Sequence, residues 1–265
     1  MTREDVIETI KTATIDVPDI RALFLGGSYG NGMADAFSDI DFVLVAQDGA
    51  TDAISEVWRK AVGQTGTIVL WWDRKTVPVL INAITTDWTR TDVLILKEDQ
   101  LAQYAQNMLI PLFDHDGLFE RLPDKLPEAA PQIGKWRYQF EDFIRILGLL
   151  HLAVGREEYI NGVLGIFHLR NYLVELLIAQ TNAPNRGGVL HLNRLLTEEQ
   201  KDLLTSLPPP RPERDAMIAA HLAYAQAYLP RARRMADRLG VDWPEDFEAA
   251  TWAQLKTALS ITRPY

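Results

Sequence analysis

Residues 23–43 read LFLGGSYGNGMADAFSDIDFV. An apolar run, Leu23 to Leu25, breaks at Gly26, Gly27 and Ser28. Eleven residues beyond Ser28 two acids stand at i and i+2, Asp39 and Asp41, at the head of a second apolar run from Phe42 to Val45. Alternate residues of a strand point to one face, roughly 6.5 to 7 Å apart, so both carboxylates aim at one spot. Hard cations such as Mg²⁺ take oxygen ligands, one or two carboxylates completed by water and substrate phosphates. Two residues of the Gly-Gly-Ser turn lack a Cβ, so backbone N–H groups and a hydroxyl can come against a phosphate.

Taken singly these signals are weak. A glycine-rich turn is often only a turn, and this one has neither the GK[ST] ending of a P-loop nor a GxGxxG spacing. Asp39 alone reads equally as a turn residue after Ser38. Asp41 is different, because it sits between Ile40 and Phe42 in a run that reads as buried, and charge is seldom buried without a partner or a metal. A third acid, Asp92, stands near the start of another strand pattern, RTDVLIL at 90–96. Three carboxylates on neighbouring strands can hold two metals about 3.5 to 4 Å apart, or one metal while leaving a general base. A phosphate cradle followed by a metal-binding pair is what nucleotidyl transfer requires.

The stretch GGSYGNGMADAFSDID resembles the signature of the nucleotidyltransferase superfamily that shares its core with DNA polymerase beta: an apolar residue, Gly-Gly or Gly-Ser, nine to thirteen residues, then Asp-x-Asp or Asp-x-Glu. Within it the chain is most similar to the antibiotic-modifying branch, lincosamide nucleotidyltransferases first and aminoglycoside nucleotidyltransferases next. RTDVLILKEDQL stands in the place of that branch's third acidic strand, and FIRILGLLHLAVGREEYINGVLGIFHLRNYLVELL resembles the start of its helical domain. The resemblance implies that Asp39 and Asp41 ligate Mg²⁺, and that Ser28 and the Gly27 backbone hold the phosphates of ATP or another nucleoside triphosphate. Asp92 is then the general base on an acceptor hydroxyl or a third metal ligand; some members carry Glu there. Homodimers are common in the branch, though no segment here declares an interface.

Composition narrows the partners. The chain has 265 residues and no cysteine, which removes disulfides, thiolate nucleophiles and thiolate zinc sites. Its five histidines form no ligand pair, so any metal is oxygen-bound. No uniformly apolar stretch of about 20 residues is evident, so no membrane span is expected. The start MTREDVIETI has acids where a signal peptide is basic and then apolar, which points to a cytoplasmic enzyme. Residues 1–125 carry 20 acids against 11 bases, while 126–265 are balanced at 16 and 16. An acidic half repels nucleic acid and suits a cationic small molecule.

Periodicity gives a helix at 4–13, strands at 21–26 and 40–46 around the turn, a helix near 51–63, and strands near 67–71, 77–84 and 91–96. TTDWTR reads as a hairpin turn between the last two. A short helix and the connection IPLFDHDGLFERLPDKLPEAAP follow, whose prolines and lack of period put a boundary between 125 and 132. Helices are expected at 134–154, 157–181, 192–205, 213–239 and 245–260, separated by Gly155, the NAPNRGG run, Pro208 to Pro210 and Gly240. Strands first and helices second is α+β followed by a helical bundle. The expectation is a catalytic domain at 1–128, a mixed β-sheet flanked by helices, and an all-α acceptor-binding domain at 129–265. Polar residues on its apolar helices, Tyr138, Glu141, Glu157, Tyr159, Arg170 and Tyr172, are candidates to line the site, Arg170 because a guanidinium can meet a triphosphate. Of the adjacent Trp71 and Trp72, one is expected in the core and one at a pocket. Arg186 and His191 form an R-x4-H spacing known from RNA-cleaving helical domains, but Gly187 and Gly188 place it in a loop.

Four other readings stay open: an enzyme that adenylylates a protein, a non-catalytic nucleotide-binding module, an RNA-tailing enzyme, and a nucleotidyltransferase of an unrelated metabolite. The helical half weighs against the first, retention of all three acids against the second, and the acidic N-terminal half against the third.

Overall fold

The computed structural model describes residues 1–127, 130–181 and 191–265. Arg186 and the NAPNRGG run therefore lie outside the described residues. The chain divides into two compact units, Met1–Glu128 and Ala129–Tyr265.

The first unit opens with α1 (Arg3–Thr14). Its start is a reciprocal cap, in which Asp5 N donates to Thr2 Oγ1 at 3.2 Å and Thr2 N donates to the Asp5 carboxylate at 2.9 Å. There follow β1 (Ile20–Leu25), a single helical turn α2 (Gly27–Gly30), β2 (Ile40–Ala46), α3 (Thr51–Thr65), β3 (Ile68–Asp73), β4 (Val79–Thr85), β5 (Arg90–Leu96) and β6 (Ile110–Asp114). The six strands form one mixed sheet in the order β3-β4-β5-β2-β1-β6. Only β2 and β5 pair in parallel; the other neighbours are antiparallel.

Strand β2 lies at the centre and is apolar on both faces, as a strand covered from both sides must be. Ile40, Phe42, Leu44 and Ala46 meet Val6 and Ile10 of α1 and Trp58 of α3, with the Phe42 and Trp58 rings edge to face at 5.0 Å. Val43 and Val45 pack on the other face in a smaller cluster with Phe24, Leu96, Leu101 and Leu109. That second layer reaches back only to Val43, so the preceding position on the same face, Asp41, is left without an apolar cover. Trp71 packs on the larger cluster and Trp72 is exposed beneath the Arg74 guanidinium, 5.7 Å from its ring.

Strand β6 corrects the expectation of an irregular connection over 98–125. Its five residues include Pro111, which lacks a ladder donor and is tolerated only because β6 is an edge strand paired with β1 alone.

The second unit is helical throughout its described residues: α4 (Ile133–Gly148), α5 (Leu150–Gly155), α6 (Tyr159–Gln180), α7 (Leu192–Leu195), α8 (Glu198–Ser206), α9 (Arg214–Leu239) and α10 (Glu245–Leu259). Two expected helices are each divided. The first breaks at Leu149, and the second breaks where Thr197 and Gln200 form a capping box that starts α8. Helix α6 packs on α9 and α4, and Phe143 of α4 stacks on Tyr228 of α9 with ring centroids 3.9 Å apart. Contrary to expectation, α6 is long and apolar enough to cross a membrane. Its buried residues Ile166, Leu169, Leu173, Leu176 and Leu177 recur at helical spacing, the pattern of a helix with one face in a protein core.

Two buried ionisable groups organise this unit. Glu248 accepts hydrogen bonds from Trp243 Nε1 at 2.7 Å, Tyr265 O–H at 2.8 Å and Arg233 Nη2 at 2.5 Å. Burial raises its pKa, but those donors outweigh burial and hold it below the ordinary glutamate range. His221, with no such partner charge, is pushed down to about 4 by burial. Unfolding restores a histidine of pKa about 6.5, so the unfolded chain binds more protons between those values and stability falls as pH drops. Between about pH 7 and about pH 5 this group alone should remove about 2 kcal/mol. Urea unfolding across that range measures it, and His221→Phe should flatten the slope by that amount.

Candidate active site

The turn after β1 is fixed by its backbone. Gly26 N donates to Asp41 O at 2.9 Å, and Gly30 N to Gly26 O at 2.8 Å. Gly27 takes the left-handed region, with φ at 51°. A Cβ there would lie 1.8 Å from Asp41 Oδ2, so the turn lies directly against the Asp41 carboxylate and only glycine fits. Ser28 Oγ is buried and has no hydrogen-bond partner. Buried hydroxyls are nearly always satisfied, which makes this one an open donor and acceptor in the turn.

Asp39 immediately precedes β2, and Asp41 is its second residue. In the parallel ladder Asp41 is the register partner of Asp92, so the two carboxylates stand side by side on one face of the sheet. Three acids thus meet beside the turn, and their charges oppose one another. Asp41 is pushed up to about 6, by burial first and then by the charges of Asp39 and Asp92, with Arg90 pulling the other way. Asp92 is raised by burial, then by Asp39, against a hydrogen bond from the Asn82 side chain and the charges of Arg90 and Arg74.

Four neighbours escaped the sequence reading. Arg90 Nη1 lies 3.5 Å from Asp39 Oδ2 and its Nη2 donates to Phe37 O at 3.2 Å. Asn82, register partner of Asp92 on β4, is itself held by Arg74 Nε at 2.8 Å. Tyr104 has its hydroxyl pKa raised by burial and then by Asp41. Arg90 was findable, being two residues ahead of Asp92 on the same strand face. The others depend on cross-strand register and on the packing of 98–109.

Among the described residues no group of three metal-ligating side chains stands preassembled as a cage. Mg²⁺ keeps several waters and takes one or two carboxylates together with substrate phosphates, so two protein carboxylates would be enough to hold it. The mutual repulsion of the acids, the partnerless Ser28 hydroxyl and the glycine pressed on Asp41 fit a cation and phosphates at this place.

The candidates of the helical unit lie within that unit's own contacts. Arg170 Nη1 donates to Tyr224 Oη at 2.8 Å and to Leu204 O at 3.3 Å. Tyr172 O–H donates to Asp142 Oδ2 at 2.8 Å, and Glu141 accepts from Arg137 Nε at 3.0 Å. Tyr138 is exposed, Glu157 takes a left-handed backbone at φ 56°, and Tyr159 opens α6.

An acidic pair at the head of the central strand, a third acid on its parallel neighbour and a bare-backbone turn beside them form the arrangement that the sequence led us to expect of a nucleotidyltransferase. A family model of streptomycin adenylyltransferase matches residues 1–132, which supports the nucleotidyltransferase superfamily for this chain. No curated protein matches it. Among solved structures it is similar to an aminoglycoside 6-adenyltransferase from Bacillus subtilis, with 12% identity, 96% of this chain and 97% of that one covered, and a TM-score of 0.43. It is similar also to a nucleotidyltransferase-like protein from Exiguobacterium sibiricum, with 9% identity, 98% and 89% covered and a TM-score of 0.35. A third is a CCA-adding enzyme from Thermotoga maritima, with 12% identity, 100% and 94% covered and a TM-score of 0.33.

Proposed function

We propose that the chain transfers AMP from Mg²⁺-ATP to a hydroxyl of a small molecule, an aminoglycoside or lincosamide antibiotic, and releases pyrophosphate. The observation that carries this reading is the meeting of Asp39, Asp41 and Asp92 beside a turn whose Gly27 lies against Asp41 and whose Ser28 hydroxyl is free. Asp39 and Asp41 would hold magnesium, which when bound would neutralise the charge that grows on the transferred group and on the leaving pyrophosphate. Ser28 Oγ and the turn amides bind phosphate oxygens and fix the triphosphate. Asp92, its pKa raised by burial, takes the proton of the acceptor hydroxyl, for which a base closer to neutrality is better suited. The acceptor oxygen bonds to the α-phosphorus as the bond to the bridging oxygen breaks, in line, and the electron pair leaves with pyrophosphate. Positioning and electrostatics carry most of such a step. The acidic excess of residues 1–125 supports a cationic acceptor.

The test is Mg²⁺-dependent pyrophosphate release from ATP and GTP against a panel of aminoglycosides and lincosamides. Release with one drug supports the reading, and AMP appearing on protein instead would move the acceptor to a side chain. Asp92→Asn keeps size and the Asn82 contact but removes the base, and should lower kcat about 10²-fold with KM for ATP little changed. An Asp92→Asn enzyme of undiminished kcat would leave the proton to another group.

A further inference from the structure

Strand β4 reads VLINAIT, and Asn82 is the one polar side chain in its run from Val79 to Ile84. Leu80 and Ile84 share its face, so an apolar residue at 82 would suit the strand better than an amide. The reason for the amide lies in what stands on either side of it. Register partners run straight across four strands: Trp72 of β3 against Asn82, Asn82 against Asp92 of β5, and Asp92 against Asp41 of β2. Asn82 thus stands between the acids and the β3 edge of the sheet.

Both ends of the amide are used. Arg74 Nε donates to Asn82 Oδ1 at 2.8 Å, and a hydrogen bond joins the Asn82 side chain to Asp92. A guanidinium can only donate and a carboxylate can only accept, so the amide oxygen faces Arg74 and the NH2 group faces Asp92. Arg74 is itself held, its backbone N donating to Leu80 O at 3.0 Å and its guanidinium lying 5.7 Å from the Trp72 ring. It continues β3, two strand spacings or about 10 Å from β5, and so acts on Asp92 through the amide. The torsion that aims an aspartate's oxygens has a broad, shallow preference. A hydrogen bond from Asn82 narrows it, occupying one oxygen of Asp92 and giving the other a set direction.

We propose that Asn82 is a positioning residue for the base: oriented by Arg74, it holds one oxygen of Asp92 and so aims the other at the acceptor hydroxyl. This role rests on the transfer reaction proposed above. The proton taken from the acceptor goes to the free oxygen of Asp92 and does not pass to the amide.

The experiment uses the full-length chain labelled with nitrogen-15, and follows the Asn82 side-chain NH2 signals beside steady-state transfer from Mg²⁺-ATP to the drug of the panel with the fastest pyrophosphate release. One Asn82 NH2 proton is expected downfield of a free amide because it donates to a carboxylate. Asp92→Asn and Arg74→Leu should each move it back towards the free position, the first by removing the charge and the second by releasing the amide. Asn82→Leu keeps the size and loses both hydrogen bonds, and should lower kcat about tenfold or more with KM for ATP within about twofold. In an Asp92→Asn background the same substitution should cost less than about twofold, because no base is left to aim. Should Asn82→Leu fail to fold, Asn82→Asp, of nearly the same shape and still an acceptor for Arg74, carries the comparison. An equal loss of kcat in both backgrounds, or an Asn82 NH2 group that ignores Asp92→Asn, overturns the positioning role and leaves the reaction standing. Absence of transfer by the parent overturns the reaction and the role with it.

Discussion

Asparagine in place of Asp41 is expected to lower nucleotidyl transfer about 10³-fold or more, some 4 kcal/mol of transition-state stabilisation, while the protein folds and gains heat stability. Both halves follow from the same crowding. Asp41 is half-buried, stands beside Asp92 in the parallel ladder and shares a face with Asp39. Arg90, which reaches Asp39 at 3.5 Å, offsets part of this repulsion, and the cation of the proposed reaction would offset the rest. The amide keeps the shape but supplies neither the charge nor the second oxygen a hard cation uses. It also removes the repulsion among the three acids, so thermal unfolding near neutral pH should shift upward. The gain should shrink as pH falls. Asp41 has a folded pKa raised above its unfolded value, so its destabilising charge is present above about pH 6 and lost as it protonates. An inactive variant that unfolds earlier than the parent would mean that activity was lost with the fold. An active Asp41→Asn would remove Asp41 from the metal site.

The acids were legible because a period of two is simple arithmetic. Once 40–46 and 90–96 read as strands, with Asp39 just ahead of the first, Asp39, Asp41 and Asp92 could share a face. The side-by-side placement of Asp41 and Asp92 needed more, since only the order β5-β2 and the parallel register put them together. Arg90 obeys the same period as Asp92 and was passed over for want of a partner, which is Asp39 across the strand pair. Asn82 and Arg74 act through the β4–β5 ladder, whose register no single strand encodes. In the helical half, sequence alone gave helices but not where they stop. Helix α4 ends at Gly148 and α5 begins at Leu150 inside what read as one apolar helical pattern, and the T-E-E-Q cap of α8 lay inside another. His221, held by one backbone carbonyl and facing a cavity made by α6, is set wholly by tertiary packing.

Gly27→Ala should cost about 10³-fold in transfer, nearly as much as losing the metal ligand, although it changes no functional group. A Cβ at this position would sit 1.8 Å from Asp41 Oδ2, so either the turn or the carboxylate must move by more than about 1 Å, and a misplacement of 1 Å alone can cost about 10²-fold. Moving the turn displaces Ser28 from the phosphates, and moving the carboxylate displaces the metal. The backbone adds a second penalty. At φ 51° an L side chain is strained by about 1–2 kcal/mol. Gly32→Ala separates the two effects. Gly32 is also left-handed, at φ 67°, but a Cβ there meets nothing within 4 Å. It should lower stability by the strain alone and leave transfer within about threefold of the parent. The comparison is kcat with saturating ATP and the urea midpoint for both variants. Similar midpoints with activity lost only in Gly27→Ala would mean that the turn works by its contact with Asp41. Equal activities would mean that the turn need not touch the carboxylate, and the phosphate cradle would have to be sought elsewhere on the sheet.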